Sequence, residues 1–184
     1  MLVNLRRSIL FSLVALVFLG LVYPLVGTGL SQVLFPHQAN GSLTRDGSAL
    51  VGQTWSSPKW FHGRPDDDNP LVTDGSSGSS GASNLGPRSK ALLRSTKELV
   101  EYWHKMGVKN PTADLVTTSG SGYDPDISPA DAMVQIPMIA NARHLSPAAL
   151  RTLINHETEK AQWGFLGSAY INVLSLNQAL AGLR

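Results

Sequence analysis

Arg6-Arg7-Ser8-Ile9-Leu10-Phe11-Ser12-Leu13-Val14-Ala15-Leu16-Val17-Phe18-Leu19-Gly20-Leu21-Val22-Tyr23-Pro24-Leu25-Val26 sets two cations ahead of a long apolar run. From Ile9 to Val26 the run is broken only by Ser12, Gly20 and Pro24, and no Asp, Glu, Lys or Arg follows Arg7 until Arg45. A helix rising about 1.5 Å per residue needs about 20 such residues to cross a hydrocarbon core of roughly 30 Å. A transmembrane helix is therefore expected. A secretory leader has the same charge order, but its apolar centre is about 7 to 15 residues long and ends in a small-x-small cleavage site. Val26-Gly27-Thr28 and Thr28-Gly29-Leu30 fit such a site poorly. The run reads as an uncleaved anchor. Short basic flanks stay on the cytoplasmic side of a span. The expected organisation is a cytoplasmic flank at 1–7, the transmembrane helix and its outer end at 8–35, and one extracytoplasmic domain at 36–184.

Composition limits what that domain can do. The chain has 184 residues and a formal net charge of +2, part of which is the topological pair Arg6 and Arg7, and it carries no polybasic tract. Nucleic acid is not an expected partner; the lipid bilayer is. With no cysteine there are no disulfides, thiolate metal sites or cysteine nucleophiles, so stability must come from an apolar core. The 17 glycines and 11 prolines mark a loop-rich domain.

The pattern along the chain is mixed α and β, an α+β class. Ser42-Leu43-Thr44, Arg45-Asp46-Gly47 and Ala49-Leu50-Val51 predict a hairpin, with glycine supplying the turn. Trp55, Trp60, Phe61, His62 and Arg64 form an aromatic group suited to a small core or a partner-facing patch. Asp66-Asp67-Asp68 reads as a solvated acidic run, because three consecutive carboxylates do not converge on one cation. The Gly/Ser stretch from Asp74 to Pro87 reads as a solvated loop and lacks the G-x-x-x-x-G-K-[ST] phosphate signature. After Ser89, the residues Leu92, Leu93, Thr96, Leu99, Val100 and Trp103 recur at helical spacing up to a stop at Gly107. Asp114–Thr118 is a strand candidate. Ser128-Pro129 and Ser146-Pro147 are caps with proline at the first helical position, predicting helices over Pro129–Ala142, kinked or interrupted near Pro137, and over Pro147–Lys160. Tyr170–Val173 predicts a strand, and Ser175–Leu183 a terminal helix.

No catalytic constellation falls into place. Gly120-Ser121-Gly122 is not G-x-S-x-G, and His37, His62, His104, His144 and His156 show no i, i+4 pair or H-E-x-x-H. Asp124 and Asp126 flank Pro125 with too few oxygens for a calcium loop. An accessory chain fits better than an enzyme. The competing readings are a membrane-anchored extracytoplasmic serine hydrolase using Ser121, and a free-standing envelope binding protein.

Several stretches in order, Gly47–Gln53, Trp60–Pro65, Ser80–Pro87, Asp114–Pro129 and Ile171–Asn177, together with the N-terminal span, resemble the C subunit, KdpC, of the Kdp potassium-transporting P-type ATPases. The resemblance implies a noncatalytic subunit in a bacterial inner-membrane complex. Its partners would be an ATP-hydrolysing subunit and a channel-like potassium-translocating subunit. ATP and potassium would be used by the complex, with no cofactor bound by this chain. The resemblance further implies assembly or stabilisation of the complex and a chaperone-like rise in ATP affinity. In that proposal the glycine-rich loop, with Ser83, Asn84 and Gly86, and Gln135 would contact nucleotide. The orientation set by Arg6 and Arg7 places those residues across the bilayer from cytoplasmic ATP, so an effect transmitted through partners is expected instead. Expected partner-facing positions are Gly20, Gly27 and Gly29 on the span, where small residues admit a close helix, and Trp60, Phe61, Arg64, Ser121 and Asp124 in the domain.

Overall fold

The computed structural model describes residues 2–65 and 80–183, in two compact units, 1–43 and 44–184. The Asp66-Asp67-Asp68 run and the start of the Gly/Ser stretch lie outside the described residues.

The first unit is dominated by one helix over Leu2–Leu34, 33 residues whose most apolar 18-residue window has a mean hydropathy of 2.6 and no buried residue. Its length and composition suffice to cross a membrane, and it exceeds the expected apolar run at both ends. Within it, α1 (Leu2–Val17) passes through a π-helical turn, Phe18–Val22, into α2 (Tyr23–Leu34). Pro24 explains the turn. A proline ring collides with the carbonyl four residues back, here Gly20, and widening that turn relieves the clash without breaking the rod. Tyr23 N–H donates to Phe18 O, five residues back. A short helix, α3 (Pro36–Ala39), follows.

The second unit is mainly helical, with little of the β structure the sequence suggests. The strands β1 (Leu43–Thr44) and β2 (Gly47–Ser48) make a minimal hairpin, with Gly47 at φ +143, and Ala49–Val51 does not extend it. The other pair, β3 (Asp126–Ile127) and β4 (Ile171–Asn172), is antiparallel with Ile127 opposite Ile171. Asp114–Thr118 is not a strand. Asp114–Val116 forms a 3-10 turn because Trp103 Nε1 donates to Leu115 O at 2.7 Å while Leu115 and Val116 are both buried.

Four helices build the core. α4 (Lys90–Lys105) buries Leu99 and Trp103, and Gly107 beyond it sits at φ +89 as a helix stop requires. α5 (Pro129–Arg143) has a full capping box, in which Ser128 Oγ accepts from Asp131 N–H and the Asp131 carboxylate accepts from Ser128 N–H. It continues through Pro137 without interruption and ends at His144 in the left-handed region. α6 (Pro147–Glu157), capped by Ser146, packs on α5 and is shorter than the expected span to Lys160. α7 (Val173–Gly182) starts earlier than expected because the Asn172 side chain accepts from Ser175 N–H. Phe61, Trp103, Leu115, Ile136, Ile139, Leu150, Ile154, Ile171, Leu176 and Leu180 fill the space between these elements.

Candidate functional site

Among the described residues no strand pairs with the segment Phe61-His62, which runs through the core, so its backbone groups need partners from elsewhere. Two side-chain amides supply them. Gln135 of α5 accepts from His62 N–H at 2.8 Å and donates to His62 O at 3.0 Å. Asn177 of α7 accepts from Phe61 N–H at 2.8 Å and donates to Phe61 O at 2.8 Å. Each primary amide thus acts as one rung of a β ladder. Gln135 is 0% exposed and Asn177 1%. The His62 ring is also enclosed, edge-on to Trp103, with Nε2 3.1 Å from Ser57 O. Burial drives its pKa down to about 4, against the opposing pull of Ser57 O, so the ring is neutral at physiological pH.

The next residues of the same segment reach a second network. Arg64 donates to Thr117 O and Thr118 O at 3.3 and 3.1 Å and pairs with Asp114 at 3.4 Å. Asp131, fully enclosed, accepts from Ser128 Oγ and from Thr112 Oγ1. Burial raises the Asp131 pKa to about 6; the hydrogen bonds from Ser128 oppose the rise, and the neighbouring Asp114 adds to it.

The glycine- and serine-rich motifs meet in a third network. Gly52 N–H donates to Tyr123 O at 2.9 Å and Gly81 N–H to Ser121 O at 2.8 Å, joined by Ser80 Oγ at 2.7 Å. These approaches demand glycine: a Cβ on Gly52 would lie 2.8 Å from Asp124 O, and one on Gly122, at φ +72, 2.7 Å from Gly81 O. Ser119 Oγ accepts from Gly122 N–H, and Ser121 Oγ from Tyr123 N–H. Asp124 accepts from Asp126 N–H at 3.1 Å. Asn172 donates to Ala49 O and to Asp126 at 2.9 and 3.0 Å, and Val173 N–H donates to Pro125 O. The turn at 119–126 is thereby tied to residues 49–52, 80–81 and 172–173.

The expected site residues separate into two groups. Ser83, Asn84 and Gly86 are exposed, with Asn84 at φ +53, whereas Gln135 has no surface to share with them. Phe61 is core, 0% exposed. Trp60 remains half-buried, tilted against Trp55 at 5.3 Å with the Arg143 guanidinium 5.0 Å from its ring centre. Ser121 and Asp124 hold backbone, and among the described residues no group of three or more acids and histidines can hold a metal ion. On the anchor, a Cβ at Gly27 or Gly29 would meet nothing within 4 Å, and one at Gly20 only Leu16 at 3.6 Å. The reading of the sequence missed Asn177 and the clamp role of Gln135. The signal was present in each case as an amide on an otherwise apolar helical stripe: Ala132, Gln135, Ile136 and Ile139 in α5, and Val173, Leu176, Asn177 and Leu180 in α7.

A family profile described as K+-transporting ATPase, c chain, KdpC, matches residues 5–182. The chain belongs to the KdpC family. Proteins named potassium-transporting ATPase KdpC subunit are similar to it along nearly their whole length. One from Acidobacterium capsulatum is 45% identical, covering 96% of this chain and 97% of its own. One from Gloeobacter violaceus is 44% identical over 90% and 88%, and one from Rhodopseudomonas palustris 46% over 98% and 97%. Apart from the N-terminal span, the stretches whose sequence resembles the family meet in the clamp, the Arg64 network and the glycine contacts, with Gln135 contributed from outside them.

Proposed function

We propose that this chain is a noncatalytic accessory subunit of an ATP-driven potassium uptake complex in the bacterial inner membrane. Its N-terminus is cytoplasmic and its folded domain extracytoplasmic. It assembles and stabilises the complex with an ATP-hydrolysing subunit and a channel-like subunit, and raises ATP affinity through those partners rather than by touching nucleotide. A chain that binds one conformation of a pump more tightly shifts that population, and typical couplings of about 1–3 kcal/mol change an apparent affinity by roughly 5- to 150-fold. The observation that carries this reading is Gln135. Its amide oxygen and nitrogen are each engaged by His62 and the side chain is 0% exposed, so no face of it is open to a ligand. The small side chains at Gly20, Gly27 and Gly29, which admit a close neighbouring helix, support a helix-facing role for the anchor, and the Trp60–Arg143 surface is the candidate protein contact of the domain.

The test has two arms. The detergent-solubilised chain is titrated with ATP, and the apparent ATP affinity of the assembled complex is measured with and without it. No saturable binding by the chain alone, with a weaker ATP response when it is omitted, is the expected pair. Micromolar binding by the chain alone, abolished in a Gln135→Ala variant that stays folded, would overturn the indirect route.

A further inference from the structure

The chain between α6 and β4 leaves the core as a hairpin. Glu159 and Tyr170 exchange backbone hydrogen bonds at 2.9 and 3.1 Å, and Gln162 and Leu166 do so at 2.9 and 3.0 Å. Its turn places Trp163 at φ +54, a conformation unfavourable for a large side chain, beside Gly164 at φ +84 and Gly167 at φ +80. Trp163 is 78% exposed and Phe165 74%, the highest values for large apolar side chains among the described residues of the folded domain. Leu166 and Tyr170 are exposed beside them. Within the domain neither ring gains burial that would offset the turn.

Two further observations say what covers this tip. The first is its chemistry. Tryptophan and tyrosine with a nearby lysine, Lys160, match the composition of a bilayer interface, and no Asp or Glu occurs from Lys160 to the end of the sequence. The second is covalent reach. The apolar helix ends at Leu34 and the domain begins at Thr44, so the linker spans at most about 35 Å even if fully extended. Where the chain enters the domain, Gln178 donates to Asp46 at 3.0 Å and Asn172 to Ala49 O at 2.9 Å. Asn172 stands two residues beyond Tyr170 at the hairpin base, and a hairpin arm of this length extends about 15–20 Å.

We propose that the Trp163-Gly164-Phe165-Leu166 tip inserts into the interfacial layer of the lipid bilayer. It serves as a second, reversible membrane contact that limits rotation of the domain about its linker. The inference rests on the N-terminal helix crossing that bilayer. Two shallow aromatic side chains add little to anchoring by a spanning helix, so their effect is on orientation.

All four tryptophans lie outside the N-terminal helix, at 55, 60, 103 and 163, so quenching from the acyl region reports on the domain alone. The full chain is placed in nanodiscs of phosphatidylcholine and phosphatidylglycerol, either ordinary or brominated near the top of the acyl chains. Co-elution of chain and disc scores the helix separately. The expected result is loss of the Trp163 emission in brominated discs, with no such loss in Trp163→Phe, a variant confirmed as folded by the emission of buried Trp103. Equal emission in the two lipids overturns the proposal, and so does quenching that persists in Trp163→Phe. Shielding of Trp163 from a water-soluble quencher only after assembly with the ATP-hydrolysing and channel-like subunits also overturns it, and assigns the tip to a protein partner.

Discussion

Replacing Gln135 with leucine leaves His62 N–H and C=O enclosed without partners, because among the described residues no strand lies beside Phe61-His62 to take them over. Each orphaned group costs about 1–3 kcal/mol, so the loss is about 2–5 kcal/mol, partly offset by the apolar side chain. Against a typical domain stability of about 5–15 kcal/mol this is a large share. Asn177→Leu is the matched control, removing the equivalent pair from Phe61. Because the two amides hold adjacent residues, the double variant is expected to lose less than the sum of the singles. Urea unfolding of the full chain in detergent, followed by the fluorescence of buried Trp103, measures all three. A loss below about 0.5 kcal/mol in Gln135→Leu, the range of ordinary surface changes, would refute the clamp. An effect of Gln135→Leu on ATP response without loss of stability would refute it equally.

Other outcomes follow from the same geometry. His62 binds a proton more weakly folded, at about 4, than at its ordinary 6.5, so its contribution is complete above pH 6.5 and is lost as pH falls toward 4; about 3 kcal/mol is at stake, read as a falling urea midpoint. Asp131 has the opposite sign. Its carboxyl holds a proton up to about pH 6 when folded against 3.8 as a free side chain, so its contribution is present at low pH and lost as pH rises through 6. The stability of Asp131→Asn relative to wild type is therefore expected to rise between pH 5 and pH 7 in paired unfolding curves. Gly122→Ala places a side chain at φ +72 against Gly81 O and is expected to cost about 1–2 kcal/mol from the backbone alone. Hydrogen exchange at Gly81 and Gly52 should quicken in that variant, since both amides bond to the 121–123 turn.

Local signals carried much of the architecture. The apolar run behind Arg6 and Arg7, the periodic stripe of Leu92, Leu99 and Trp103, and the Ser-Pro caps at 128–129 and 146–147 are decided by neighbours within a turn or two of helix. The strand expectations fared worse for a physical reason. Pairing is nonlocal, and Asp114–Thr118 is rich in β-branched residues suited to a strand yet its first three residues are drawn into a 3-10 turn by the Trp103 indole and by the burial of two consecutive side chains. Proline at 137 signals a break, but a helix anchored on both sides by core contacts of Ile136, Met138 and Ile139 carries it.

By itself the sequence determined that one helix is long and apolar enough to cross a membrane, that the rest folds without cysteine, and which family the motifs belong to. The tertiary structure alone decided what those motifs do. Gln135 and Asn177 reach partners 73 and 116 residues away, and the glycines at 52, 81 and 122 matter because three distant loops touch there. The physical reason is that an amide, a serine or a glycine carries no address in its own chemistry: whether it faces solvent, a ligand or an unpaired backbone is set by what the core folds against it.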